Sequence, residues 1–297
     1  MSDSASEPRP ARRGAHLTRR RFLQAGGVAG VALAVDALGV EPGRVEVTRH
    51  DIVISGLPAA LAGLRIAQVT DTHLPGNRRA ADAAIRLLAD ARPEVVVLTG
   101  DICEDAAGLG ALTDFVAAAR GSLATVGIYG NWERKARIPE AALAAAYERA
   151  GAELLVSRSV LVSAPAGDAR LRIVGLDDAR YVGPDLARAL GGPAGDAELW
   201  LVHCPQYADL FSPPRNPPAA LLAGHTHGGQ VRLPGWTPYT PPGSGRYVEG
   251  WYRDVPVPMY VSRGVGTAVV PARLACRPEL PIFTLRATTA VPAPDNR

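Results

Sequence analysis

Short apolar runs alternate with helical patterns from about residue 46 onward, which is typical of a layered α/β domain. Eight runs are predicted to be strands, at residues 64–73, 94–101, 123–131, 171–178, 198–205, 220–227, 258–266 and 280–286. Between them, residues 78–91 and 139–151 are rich in alanine and are predicted to be helices. The sequence has no internal repeat, so the pattern predicts one domain, built from two sheets face to face with helices outside.

Composition narrows the class of protein. The chain has 297 residues, 47% of them hydrophobic, which is enough to bury a full core. The net charge is +3, but six arginines against Asp3 and Glu7 give the first 21 residues about +4, which leaves the remainder near −1. Nucleic-acid binding needs clustered positive charge, so none is expected here. Three scattered cysteines, Cys103, Cys204 and Cys276, do not form a disulfide framework and are interpreted as small buried residues.

The first 45 residues have the features of a targeting segment. The basic stretch LTRRRFLQ, residues 17–24, precedes an apolar run that Asp36 ends and that is too short to span a bilayer comfortably. The Arg19–Arg20 pair and the Phe-Leu that follows resemble a twin-arginine export signal. The resemblance implies the twin-arginine export machinery as a partner and a periplasmic or other extracytoplasmic location, with association at a membrane surface allowed. The alternative interpretation is a basic tail.

Potential metal ligands stand at the ends of these runs, in the short motifs DTH, GD, GN, H and GHTH. They are Asp71, His73, Asp101, Asn131, His203, His225 and His227. On extended backbone, residues i and i+2 point to the same face, so the two D/H-x-H pairs are each expected to converge on one point. Glycines before three of the ligands permit close backbone approach. Sites at the carboxyl ends of strands are where sheet-based enzymes bind substrate.

The ordered set of motifs resembles the calcineurin-like, dinuclear metallophosphoesterase family, over roughly residues 60–287. The endings GHTHGGQ, RYVEG and SRGVG, together with the signal, are similar to its exported or membrane-associated bacterial branch. The resemblance implies an α/β fold, a four-layer αββα sandwich of two mixed β-sheets flanked by helices. It divides the chain into a signal or tether over residues 1–45, a catalytic domain over 46–287 and a disordered tail over 288–297.

The resemblance also implies a ligand set for two divalent or transition metal ions. Asp71, His73, Asp101 and His227 would hold one ion, and Asp101, Asn131, His203 and His225 the other, with Asp101 as the bridge. Asp101, Asn131 and His203 are the expected catalytic residues. Two such cations clamp a phosphate and stabilise charge on its attacking and leaving oxygens. Carboxylate, imidazole and amide ligands suit manganese, iron or zinc.

One position departs from the family pattern. The family usually has histidine and then an acid after Gly-Asn, whereas this chain has Trp132 and Glu133. That histidine is normally assigned to protonating or stabilising the leaving group, and indole cannot donate the proton. Glu133, Arg134 or Arg263 would substitute, or the substrate needs no acid. Trp132, Glu133 and Arg263 are the expected substrate contacts.

The predicted function is therefore that of a metal-dependent phosphoric ester hydrolase, acting as a monomer on phosphodiester or pyrophosphate bonds. An envelope or lipid-linked phosphoester is an attractive substrate. Two alternatives stay open: a phosphomonoesterase with the same site, and a non-catalytic metal-binding or partner-binding module on this scaffold.

Overall fold

Two six-stranded mixed sheets form the centre of the molecule. The structure, a computed structural model, describes residues 18–183, 185–210 and 216–288, so the start of the predicted signal and nearly all of the predicted tail lie outside the described residues. The strands are β1 Glu46–Ile54, β2 Arg65–Val69, β3 Val95–Leu98, β4 Ala124–Gly127, β5 Glu153–Leu154, β6 Arg158–Ser163, β7 Arg170–Gly175, β8 Ala197–Leu201, β9 Ala220–Ala223, β10 Gly250–Tyr252, β11 Met259–Val261 and β12 Glu279–Ala287. The α-helices are α1 Arg19–Val35, α2 Arg78–Ala91, α3 Leu109–Ala118, α4 Asn131–Lys135, α5 Glu140–Arg149 and α6 Leu186–Leu190.

The position of a strand within its sheet explains whether the hydrophobic pattern predicted it. The first sheet has the order β1-β12-β2-β3-β4-β5 and the second β10-β11-β9-β8-β7-β6. All eight predicted strands are present, and both predicted helices correspond to α2 and α5. The four strands that the pattern did not predict, β1, β5, β6 and β10, are the four sheet edges. Edge strands bury less side-chain surface, so their apolar signal is weaker.

Strand β3 shows how the layers are held together. Val95 and Val97 face the core between the two sheets, where they meet residues such as Leu199 of β8. Val96 and Leu98 face the opposite way, toward the helices α2, α3 and α5 that cover the first sheet. A strand buried on both faces is a continuous apolar run, as in parallel sheets with both sides covered. The second sheet is covered by α6 and by loops, and the predicted fold of two mixed sheets flanked by helices is confirmed.

The N-terminal helix is longer than the sequence pattern indicated. Helix α1 continues through Asp36 as a π-helical turn and ends in a 3-10 turn, Glu41–Gly43. Within the described residues, the segment Phe22–Gly43 is long and apolar enough to cross a membrane by length and composition, a test that a signal sequence also passes. The expectation that the apolar run is too short was wrong, because the helix does not end at the charged residue.

The end of this helix is attached to the domain. The backbone N–H of Arg273 donates to the carbonyl of Ala37, at 2.9 Å. The buried carboxylate of Glu41 accepts hydrogen bonds from the backbone N–H groups of Ala275 and Cys276. We call residues 36–43 the helix foot. Its contacts make it part of the folded domain, whereas residues 18–20 and 22–35 before it are exposed.

Candidate metal centre

The carboxyl ends of parallel strands from both sheets meet at one edge of the molecule, and the seven predicted ligand side chains lie together there. The loops after β2, β3 and β4 bring Asp71, His73, Asp101 and Asn131 from the first sheet. The loops after β8 and β9 bring His203, His225 and His227 from the second. Six of the seven are at least 95% buried and Asn131 is 7% exposed. Both sheets therefore contribute ligands, and the site forms only when the two sheets pack together.

The backbone at the ligands is turned and not extended. Five of the seven have a positive φ, at 50° to 75°: Asp71, His73, Asp101, His225 and His227. Strand β2 ends at Val69 and β9 at Ala223, two residues before the first ligand of each loop. The expectation that each i, i+2 pair lies on a strand and converges on one point was wrong for His225 and His227, which face different halves of the site. Non-glycine residues in this region are uncommon, and they cluster at functional sites.

Glycine is required where the ligand loops touch. Gly100 has φ +89°, and a Cβ there would lie 2.6 Å from the backbone nitrogen of Gly130 and 2.7 Å from Nδ1 of His203. Neither distance leaves room for a side chain. The glycine before Asp101 thus allows the loops after β3 and β4 to approach each other and His203, as the sequence indicated.

The first half of the site contains Asp71, His73 and His227, whose donor atoms all lie within 4.8 Å of one another. Nε2 of His73 lies 3.1 Å from Nε2 of His227, which in turn lies 3.5 Å from Oδ1 of Asp71. Two ligands about 2.1 Å from a tetrahedral metal ion are about 3.4 Å apart. The buried donors of this half-site therefore have the spacing that one cation would satisfy.

The second half of the site contains Asn131, His203 and His225. Oδ1 of Asn131 lies 2.9 Å from Nε2 of His203 and 2.7 Å from Nδ1 of His225. The outer nitrogens of these imidazoles face backbone carbonyls, those of Thr99 at 2.8 Å and Pro242 at 3.1 Å. A carbonyl only accepts, so each outer nitrogen carries a proton, and the inner nitrogen of each ring is the one that a metal ion would bind.

Asp101 lies between the two halves. Its Oδ2 is 3.2 Å from Nε2 of His203 and 3.7 Å from Nε2 of His73. Its Oδ1 accepts a hydrogen bond of 2.8 Å from the backbone N–H of Trp132, at the start of α4. One oxygen is thus fixed by the backbone, which directs the other toward both half-sites.

Burial and mutual charge shift the pKa values of the ligand side chains. Burial opposes the charge of Asp101, but the adjacent His203 lowers the pKa of this carboxyl. Burial alone would lower the pKa of His203, but the carboxylate of Asp101 raises it to about 10. Burial lowers the pKa of His73 to about 4 and that of His225 to about 3, and raises that of Asp71 to about 7. Neutral imidazoles and ionised carboxylates are the forms that bind metal ions, so His73, His225 and Asp101 are already in those forms near neutral pH, whereas a cation would have to displace a proton from His203.

An apolar cavity of about 360 Å³ opens onto this centre. Asp101, Asn131, His225 and His227 contribute to its lining. Its remaining walls include Trp132, Val231, Pro238, Tyr239, Val269 and Val270. The indole of Trp132 packs edge-on against the ring of His73, with centroids 5.4 Å apart. Trp132 is therefore a wall of the cavity beside the metal ligands.

The other two predicted substrate contacts do not face the cavity. Glu133 is 1% exposed, and its carboxylate accepts hydrogen bonds from four backbone N–H groups, those of Asp101, Ile102, Cys103 and Gly130. The guanidinium of Arg263 is paired with the carboxylates of Glu46 and Glu249. Buried backbone groups and carboxylates engage both side chains, so their contact with substrate stays a prediction that these hydrogen bonds and ion pairs do not support.

Cys204 is adjacent to the second half-site, since its thiol can group with His203 and His225. The thiol instead donates to Oδ1 of Asp178, at 3.4 Å, and burial raises its pKa well above the ordinary value. A thiol that stays protonated is a poor metal ligand. All three cysteines are buried and free, which agrees with their interpretation as small core residues.

Three residues near the centre were not among the predicted site residues. Oε1 of Glu104 lies 3.6 Å from Nδ1 of His73. The side-chain amide of Gln230 holds the backbone of residues 268–270 through three hydrogen bonds. Arg273 is fully buried and donates to the carbonyl oxygens of Gly264 and Gly266, among others. Gln230 ends the GHTHGGQ motif, which is the one signal that could have indicated it.

A larger cleft, of about 730 Å³, lies at the amino ends of the parallel strands and is lined by residues such as Arg65, Glu94 and Arg120. It contains none of the seven predicted ligands. The ion pair between Arg65 and Glu94 occupies part of its wall. We therefore locate the candidate site in the smaller cavity, where the buried donors converge.

Comparison with known proteins agrees with this geometry. Residues 64–229 match the calcineurin-like phosphoesterase family. The chain is 30% identical to the uncharacterized metallophosphoesterase YkuE of Bacillus subtilis, over 92% of this chain and 99% of that protein. It is 28% identical to the phosphodiesterase YaeI of Escherichia coli, over 91% and 99%. A transmembrane protein with a metallophosphoesterase domain from Bos taurus is 27% identical, over 81% of this chain and 57% of that protein.

The matched residues include the strands β2, β3, β4, β8 and β9 that carry the ligand loops, and all seven candidate ligands fall within the match. The chain belongs to the calcineurin-like phosphoesterase family, a class of metal-dependent hydrolases.

Proposed function

We propose that this protein is a dimetal-dependent phosphoesterase that hydrolyses phosphodiester or pyrophosphate bonds of an envelope or lipid-linked substrate. The observation that carries the proposal is the position of Oδ2 of Asp101, within 3.7 Å of an imidazole nitrogen from each half-site. A single carboxylate oxygen directed at both half-sites fits a ligand shared by two cations. Manganese, iron and zinc all suit this donor set.

The protein's own residues hold this arrangement before substrate binds. Two bound cations would stabilise charge on the attacking and leaving oxygens of the phosphate. Glu133 fixes the loop of Asp101 and the start of α4 by accepting their backbone N–H groups. Asn131 contributes a neutral oxygen and so keeps the anionic charge of the site low. The site is therefore set for an anionic substrate and held rigid by backbone hydrogen bonds.

The residues around Trp132 favour substrates whose leaving group needs no proton. Glu133 is occupied by backbone N–H groups, and Arg134 makes two hydrogen bonds to the carboxylate of Asp177. Arg263 is held by Glu46 and Glu249. The three candidates for the missing histidine are thus engaged elsewhere. Activated diesters and pyrophosphates release stable anions, so they fit this site better than simple alkyl monoesters.

The apolar cavity supports a substrate with an apolar portion next to its phosphate. Trp132, Tyr239 and Val270 provide apolar surface within the same cavity as His225 and His227. A water-soluble phosphate ester would gain little from these walls, whereas a lipid-linked one would bury its chain against them. Because apolar walls lie beside the metal ligands in one cavity, we favour a lipid-linked phosphoester as the substrate.

The N-terminal segment supports action outside the cytoplasm. Arg19 and Arg20 precede a 22-residue apolar helix, as in a twin-arginine signal or an N-terminal membrane anchor. Arginines on one side of an apolar helix favour the cytoplasm for that side. The domain, on the other side, would then face the envelope.

A substrate screen tests the proposal. The full chain, purified in detergent and supplied in turn with Mn²⁺, Fe²⁺ and Zn²⁺, is assayed with an aryl phosphodiester, the matching aryl monoester, a nucleotide sugar and a phospholipid. We expect turnover of the diester or pyrophosphate to exceed that of the monoester, with Asp101→Asn inactive. Faster turnover of the monoester would favour a phosphomonoesterase. Two bound metal ions without any turnover would favour a non-catalytic module.

A further inference from the structure

An exposed apolar loop lies between the metal centre and the helix foot. We call residues 267–271 the valine loop. Val269 and Val270 are 88% and 51% exposed, although each is apolar. Both line the cavity beside the metal ligands, and both also line a second cleft whose opposite wall includes Leu38 of the helix foot. We propose that the valine loop and Leu38 form a membrane-contact surface that holds the mouth of the catalytic cavity against the lipid bilayer.

The length of the N-terminal helix supports this position. The apolar segment of 22 residues is about 33 Å long, close to the bilayer hydrocarbon thickness of about 30 Å. Its last eight residues are the helix foot, which is attached to the domain. The part before the foot, residues 22–35, is only about 21 Å long. The helix can therefore cross the hydrocarbon only if the foot enters the bilayer surface and brings the adjacent valine loop with it.

Hydrogen bonds connect the helix foot and the valine loop to the loop that carries His227. Arg273 is two residues beyond the valine loop. Its backbone N–H donates to the carbonyl of Ala37 in the foot, and its side chain donates to the carbonyl of Gly266 before the loop. Gln230, three residues after the ligand His227, fixes the carbonyls of residues 268 and 270. A rigid connection between the foot and the ligand loops means that membrane insertion of the helix also orients the catalytic cavity.

The charge around the foot fits a lipid surface. Arg44, Arg78 and Arg79 are exposed next to it, and the guanidinium of Arg79 donates to the carbonyl of Gly39 in the foot, at 3.0 Å. Glu104 in the same cleft and the half-buried Asp36 at the start of the foot are acidic. Exposed arginines beside an apolar protrusion are attracted by anionic headgroups. The bilayer is therefore the occupant that we assign to this surface.

The membrane-contact surface also provides a route by which a lipid substrate reaches the metal centre. The valine loop separates the cleft at the foot from the cavity of Trp132 and the metal ligands, so a lipid could move from the bilayer over the valines into the cavity without crossing water. This step rests on the proposed hydrolysis of a lipid-linked phosphoester. The contact surface itself rests only on the helix, the foot and the exposed valines.

Fluorescence quenching by lipids tests the contact surface. The full chain with Val269→Cys is labelled with a nitrobenzoxadiazole dye, which should react selectively because the three native cysteines are buried. Labelled protein is reconstituted into phosphatidylcholine–phosphatidylglycerol vesicles with and without doxyl-labelled lipid. The matched control is Leu123→Cys, also an exposed apolar position but at the amino end of β4, opposite the metal centre.

We expect doxyl lipid to quench the dye at position 269 strongly and the dye at position 123 little. Equal quenching at the two positions, in protein that sediments with the vesicles, would overturn the proposal. Because quenching needs no turnover, its failure is distinguishable from failure of the proposed function. A quenched dye at position 269 in a protein without phosphoesterase activity would support the contact surface and reject only the assigned reaction.

Discussion

Replacement of Trp132 by histidine would restore the imidazole that the family usually has at this position. The new ring would stand at the cavity wall, where the indole now lies 5.4 Å from the ring of His73. A positioned general acid is worth about 10²- to 10⁴-fold, which is about 2.7–5.4 kcal/mol of transition-state stabilisation. We expect a kcat increase of this order for poor leaving groups. Esters with good leaving groups should change little, since they depart without a proton.

The same substitution removes the apolar surface that the indole of Trp132 contributes to the cavity wall. If substrate covers about 60 Å² of the indole, its loss costs about 1.5 kcal/mol, equivalent to a rise of about tenfold in KM for a lipid-linked substrate. The two effects separate cleanly, because one changes kcat with the leaving group and the other changes KM with the apolar group.

The assay is a series of phosphodiesters that differ only in leaving-group pKa, measured with the native protein, Trp132→His and Trp132→Phe. The phenylalanine variant is the matched control, since it keeps an apolar ring and has no proton to donate. We expect a steep dependence on leaving-group pKa for the native and phenylalanine proteins and a shallow one for the histidine variant. A shallow dependence already present in the native enzyme would refute the reasoning, because some other group would then supply the proton.

Three further variants test other parts of the structure. Asp101→Asn should lower the metal content below that of the native protein in both half-sites, and elemental analysis showing unchanged content would contradict the bridging role. Replacing Arg19 and Arg20 by lysine should retain the protein in the cytoplasm, because the export machinery distinguishes guanidinium from ammonium; unchanged fractionation would indicate a basic tail. Glu41→Gln replaces the carboxylate that accepts two backbone N–H groups by a neutral amide. The weaker hydrogen bonds should lower the free energy of unfolding by about 1–3 kcal/mol, measured by urea denaturation. Glu148→Gln, on the exposed face of α5, is the control and should change it little.

The interior strands and the candidate ligands were predictable from sequence because both are local. A strand buried on two faces must be a continuous apolar run, as Val95–Leu98 is, and a ligand that follows it stands beside that run in the sequence. Parallel strands place their carboxyl ends at one edge, so residues after such runs converge whatever the details of the loops. The order of the motifs was therefore enough to indicate both the family and the seven candidate ligands.

The tertiary structure decided which ligands share a half-site and what surrounds them. His225 and His227 are two residues apart yet face different halves, because left-handed backbone turns each away from the strand direction. Glu133, expected at the substrate, accepts backbone N–H groups that come mainly from a loop about 30 residues earlier.

The environment of the helix foot is equally nonlocal. Glu41 binds Ala275, 234 residues away, and through this contact the apolar helix stands beside the valine loop and the metal centre. Hydrophobic periodicity reports only whether a residue is buried within its own element. The distant groups that contact a residue are set by the packing of the two sheets. That packing depends on interactions along the whole chain and cannot be inferred from the periodicity of one element.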